Sequence, residues 1–156
     1  MSFNIVQQAK LVEALKPQAG AALTGDYVSL KNYKKAYVVV HVNQANAAQV
    51  AITIEKATDV GGSGTTPITA VVPIWANEDA VTSDELAAQT AAVGFTTSAA
   101  TKDKIVVFEI DAAALAAYQA ITVKTAASNA ANITSALYLL VGARYQGATP
   151  PSAIID

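Results

Sequence analysis

Short apolar runs rich in Val, Ile and Tyr recur along the chain, separated by Gly, Asn, Asp, Ser and Pro. They are Tyr37 to Val42, Val50 to Ile54, Ile68 to Trp75, Ile105 to Ile110 and Ala136 to Val141. This rhythm predicts an all-β, antiparallel β-sandwich, jelly-roll-like with about eight strands; an immunoglobulin-like sandwich fits the same count. From Gln49 to Ala57 the alternation is strict, with Val50, Ile52 and Ile54 on one face and Ala51, Thr53 and Glu55 on the other. Half-buried antiparallel strands have this pattern. Val106, Phe108 and Ile110 repeat it, and the run Tyr37-Val-Val-Val-His-Val is dense enough for a central strand. Asp26 to Lys31 predicts a further strand with Val28 and Leu30 on one face. Pro73 lies within Ile68 to Ala76, so that strand is expected at an edge or with a bulge. Residues 85–93 favour helix by propensity but lie between strand-like segments, and are read as strand. Asp111 is expected to cap one helical turn over Ala112 to Leu115.

The N-terminus reads differently. Ile5, Ala9, Val12 and Leu15 or Lys16 fall near helical spacing, and Pro17 ends the pattern. The expectation is a short helix or arm over 1–24, a sandwich over 25–145 and an extended tail over 146–156. Such an arm serves as a lid over the sandwich or a strap to a neighbour. Deleting residues 1–20 is then expected to leave the sandwich folded and to weaken attachment to a larger particle.

Composition narrows the function. A chain of 156 residues builds one core without staples, and it contains no cysteine. A net charge of −2 lacks the basic face of a nucleic-acid binder. No apolar run is long enough to span a membrane, and no secretory signal pattern opens the chain, so a soluble protein made in the cytoplasm is expected, unless it leaves as part of a larger particle. Charged residues make up only 14% while 34 positions are alanine, which leaves a bland exterior that a partner could cover.

Candidate chemistry is sparse. His41 is the only histidine and sits in the densest apolar strand, where a structural role is expected. One histidine without cysteine or an acidic cluster builds no zinc site. Gly61-Gly-Ser-Gly64 is followed by Thr65, Thr66 and Pro67, so it matches no phosphate-binding loop and reads as a hairpin or contact loop. Glu78, Asp79, Asp84 and Glu85 form an acidic loop without EF-hand spacing. Trp75 is read as a core anchor or an interface anchor. No catalytic residue, cofactor or metal is expected, and the chain is read as no enzyme.

Particular segments carry a family likeness: Gly25-Asp-Tyr-Val-Ser-Leu-Lys-Asn-Tyr33, Ile54-Glu-Lys-Ala-Thr-Asp-Val60, Trp75-Ala-Asn-Glu-Asp79, Phe108-Glu-Ile-Asp111 and Gly142-Ala-Arg-Tyr145. In these the chain resembles small structural proteins of tailed bacteriophages and prophages, the head decoration (capsid cement) proteins. The resemblance implies a sandwich on the outer capsid surface of the virion. Its partners would be the major capsid protein and its own copies, as a homotrimer. Tyr27, Tyr33, Trp75 and Arg144 are the candidate interface residues, being of types enriched at binding hot spots. A carbohydrate- or receptor-binding sandwich and a tail or head-completion ring protein are the alternatives.

Overall fold

Alternation decides the architecture of this chain. In the computed structural model, which describes residues 4–145 and 149–155, the long alternating runs are strands whose buried positions face one shared core. A short helix α1 (Ile5–Gln8) is followed by β1 (Ala9–Ala19), β2 (Leu23–Thr24), β3 (Val28–Ser29), β4 (Lys35–Asn43), β5 (Ala51–Ala57) and β6 (Thr66–Pro67). Then come β7 (Ile74–Asn77), β8 (Ala87–Ala88), β9 (Gly94–Thr96), β10 (Asp103–Asp111), β11 (Ala120–Thr125) and β12 (Ile133–Val141). All pairings are antiparallel, in two six-stranded sheets. Sheet A runs β1-β12-β4-β10-β7-β8. Sheet B runs β2-β11-β5-β6, with β3 also paired to β11 and β9 to β5. Among the described residues the expected eight strands become twelve, because several are two to four residues long.

The inner faces interdigitate. Val38, Val40 and Val42 of β4, Val106, Phe108 and Ile110 of β10, and Tyr138 and Leu140 of β12 meet Ile52, Ile54, Ile121 and Val123 of sheet B. All of these are fully or almost fully buried. The Tyr138 hydroxyl ties the layers together: it accepts from the Val123 amide at 3.0 Å and donates to the Asp26 carbonyl at 2.9 Å. At one end of the sandwich buried Asn132 ties its own β11–β12 loop to the β4–β5 loop. Its Oδ1 accepts from the Asn46 amide at 2.8 Å, and its Nδ2 donates to the Ala48 carbonyl and Ser128 Oγ.

The N-terminus departs from expectation. Helix is confined to Ile5–Gln8, where Asn4 caps the Val6 amide, and Phe3 lies outside the described residues. From Ala9 the chain is the edge strand of sheet A, pairing along β12 from Ala9↔Val141 to Ala19↔Ile133. The arm expected over 1–24 is therefore mostly sandwich. Pro17 is tolerated because an edge strand has amides that need no ladder partner.

Other elements shift too. The strand expected over 26–31 is only Val28–Ser29, and the one over 68–76 starts at Ile74, just past Pro73. Residues 85–93 pair only through Ala87–Ala88 and a bridge from Ala92 to Val72. Asp111 caps as expected, accepting from the Ala113 amide at 2.9 Å at the start of a 3-10 turn, Ala112–Leu115. Of the tail expected over 146–156, residues 146–148 and 156 lie outside the described residues. The remainder docks: Ala153 is buried and its carbonyl accepts from the Ser29 amide at 2.7 Å.

Candidate interaction face

The two sheets differ on their outer surfaces. Sheet B follows the ordinary rule of apolar inside and polar outside: Thr53 and Glu55 of β5 stand beside Lys124 of β11, and Lys124 Nζ pairs with Glu55 Oε2 at 2.8 Å. Sheet A does not follow it. Across its outer face one row runs Glu13, Leu137, Val39, Val107, Trp75 and Ala88, each opposite the next on the neighbouring strand. The adjacent row runs Leu11, Leu139, Tyr37 and Glu109. On the other side lie Ser135, His41 and Ile105.

This face is apolar and uncovered. Leu11 and Leu137, on β1 and β12, are 56% and 48% exposed, and Leu86, beside Trp75 at the other side of the sheet, is exposed too. Tyr37, Val39, Trp75, Ile105, Val107 and Leu139 are half-buried, screened only by one another's flanks. Glu109 is held by Lys35 at one end of β4. Glu13, at the β1 end of the central row, and His41 both stand around one hollow with Val39, Ser135 and Leu137. Two shallow hollows mark the surface: one between Tyr37, Trp75, Leu86, Val107 and Glu109, the other over Val39, Ser135, Leu137 and Pro17.

The predicted interface residues are not brought together. Trp75 belongs to this face. Tyr27 lies on the sheet B side, its hydroxyl 2.7 Å from Thr65 Oγ1 and its ring packed against Gly62, where a Cβ would come within 2.9 Å. Tyr33 is fully buried and bonds the Pro151 carbonyl, so its expected place at an interface is corrected: it fastens the C-terminal segment. Arg144 is exposed beyond β12, with its amide bonded to the Asn32 carbonyl. The face itself was missed as a site, although its signal is in the sequence. In Tyr37 to Val42, Ile105 to Phe108 and Ala136 to Val141 both alternating sets are apolar, the pattern of sheets covered on both sides.

Polar groups elsewhere are committed to structure. The acidic loop is partly consumed: Glu78 accepts from the Ser98 amide at 2.6 Å, and Asp79 pairs with Lys102 at 3.0 Å. Lys102 and Thr82 hold the Asp79 carboxyl below its ordinary range. Lys104 is fully buried, donates to Ser98 through Nζ at 2.6 and 2.9 Å, and is pushed down by desolvation. The glycine loop is a tight turn between β5 and β6. Gly62 and Gly64 take positive φ there, and the Ser63 amide donates to Asp59. Among the described residues no group of three or more His, Cys, Asp or Glu could hold a metal ion. No described helix is long and apolar enough to cross a membrane.

Comparison with protein-family models and with curated proteins gave no match. Among solved structures the chain is similar to the SPBc2 prophage-derived protein YomS, with a TM-score of 0.50 at 10% identity. The likeness covers 86% of this chain and 93% of that one, so the two are similar in fold over most of their length.

Proposed function

We propose that this protein is a non-enzymatic phage structural protein that binds the outside of a capsid shell and stabilises it. The observation that carries this reading is the broad apolar face of sheet A, a surface built for contact with protein, be it the shell or a second copy through which neighbouring capsomers are bridged. The sequence resemblance to head decoration proteins and the fold shared with a prophage-derived protein support the phage setting. A shell strained by packed DNA gains from subunits that bridge its capsomers, and weak contacts repeated by symmetry add up to firm retention.

The test is copy number. Particles banded on a density gradient are expected to carry this protein at a level comparable to the major capsid protein. A handful of copies per particle would move the protein to the tail or neck, and none would end the reading.

A further inference from the structure

We propose that the outer face of sheet A is a two-fold contact between two copies of this chain. The proposal rests on the reading of that face as a contact surface, but not on shell binding. Sheet B supplies the internal comparison: its outer face carries Thr53, Glu55 and Lys124 on the two middle strands, where sheet A carries Val39, Val107 and Leu137. The same chain thus keeps one sheet wet and makes the other fit to be dried.

Size, charge and shape favour a second copy as the occupant. Strands β1, β12, β4 and β10 are nine to eleven residues long, and β7 adds a shorter one. At about 4.8 Å between strands and about 3.4 Å per residue they present roughly 600–700 Å². Two copies face to face would bury about 1,200–1,400 Å², inside the range of specific stable interfaces. Glu109 is paired with Lys35, and Glu13 stands exposed on the edge strand β1 at the rim, so an equally apolar surface covers the middle strands without stranding an ion there.

The relief is self-complementary. Strand β4 runs down the middle, with β12 on one side and β10 on the other. On the β12 side Leu137 stands out, 48% exposed. On the β10 side is the hollow between Tyr37, Trp75, Leu86 and Val107. Leu137 and Val107 both lie opposite Val39. A two-fold axis along β4 therefore seats Leu137 of each copy over the other's Val107 and hollow, and the contact is made twice. Aligned packing of twisted sheets about 10 Å apart is the ordinary geometry for such a pair.

The experiment is sedimentation equilibrium across a concentration series. The wild-type chain is expected at twice its 16.0 kDa mass. Leu137→Glu and Val107→Lys each bury a charge in the contact and should weaken self-association about a hundredfold or more. Mixing these two variants should restore the pair, because the new carboxylate of one lies over the new ammonium of the other. Thr53→Glu on sheet B should leave the mass unchanged. Far-UV circular dichroism checks that the variants fold, and Leu11→Glu, at a position 56% exposed, is the second probe should either fail. A monomeric wild type, an odd-numbered assembly, variants of unchanged mass or a mixture that stays monomeric would overturn the proposal. So would a monomeric wild type that loses binding to purified empty shells on Leu137→Glu; that result gives the face to the shell protein and leaves the capsid reading standing.

Discussion

A chain lacking residues 1–20 is expected to lose its cooperative fold. The deletion removes β1, and with it the ladder from Ala9↔Val141 to Ala19↔Ile133. It also removes Ala9, Ala14 and Leu15, all buried, of which Ala14 and Leu15 belong to the core cluster. The loss of one buried Leu side chain alone costs about 2–5 kcal/mol. Here the Asp26 amide also loses its acceptor on Ala14. Strand β12 becomes a long edge with a row of unpaired amides and carbonyls, a template for aggregation. Against a total stability of about 5–15 kcal/mol, these losses together exceed what the remaining sandwich can absorb. The truncated chain should therefore be insoluble or melt without a cooperative transition. A chain lacking only residues 1–8 should melt within about 0.5 kcal/mol of wild type, since α1 buries none of its residues. Thermal melting of both chains decides the matter: a cooperative transition in the longer deletion would return residues 1–20 to the status of a detachable arm.

Why that arm reads as a helix in the sequence is visible in β1 itself. The register against β12 shifts between Glu13 and Leu15 and again between Leu15 and Gln18. Each irregularity turns the strand's faces over. Burial then falls on Ala9, Ala14 and Leu15 rather than on every second residue. Uneven spacing of this kind is what a period of 3.6 also produces over so short a stretch. The central strands have no such shifts. Strand β4 pairs continuously with β10 and β12 along its whole length, and there the alternation predicts the fold.

The candidate site was legible for a different reason and was passed over. Residue type directs attention to Tyr27, Tyr33, Trp75 and Arg144, but type says nothing about which face a side chain occupies. Tyr33 has a hot-spot side chain and is fully buried. Leu137 and Val39 are ordinary core residues in character, yet they point outward because their strand neighbours Tyr138, Val38 and Val40 take the core. Only the pairing register turns a doubly apolar run into an outward row five strands wide. The docking of the tail by Pro151 and Ala153 left no periodic trace, because it is made through their backbone carbonyls.

Replacing Tyr138 by Phe should lower stability by about 1–3 kcal/mol at neutral pH, because the buried Val123 amide and Asp26 carbonyl lose their shared partner while the ring keeps its place in the core. The same change should flatten the alkaline limb of the stability curve. Burial pushes the Tyr138 hydroxyl well above the usual tyrosine range, beyond the lowering effect of the Val123 amide. Above pH ~10 the unfolded chain releases this proton and the folded chain holds it. The contribution is therefore complete below that pH and is lost as pH rises beyond it, at about 1.4 kcal/mol per pH unit for one such group. Buried Tyr33, also raised by desolvation, acts in the same direction. Tyr138→Phe leaves Tyr33 alone, so the deficit of the variant should shrink steadily from pH 10 upward. Urea unfolding of wild type and variant at pH 7 and at steps from 9 to 11 measures both effects. A variant equal to wild type at pH 7 would show that the hydroxyl does not tie the two sheets together, and parallel alkaline limbs would show that its proton is no more tightly held in the folded state than in the unfolded chain.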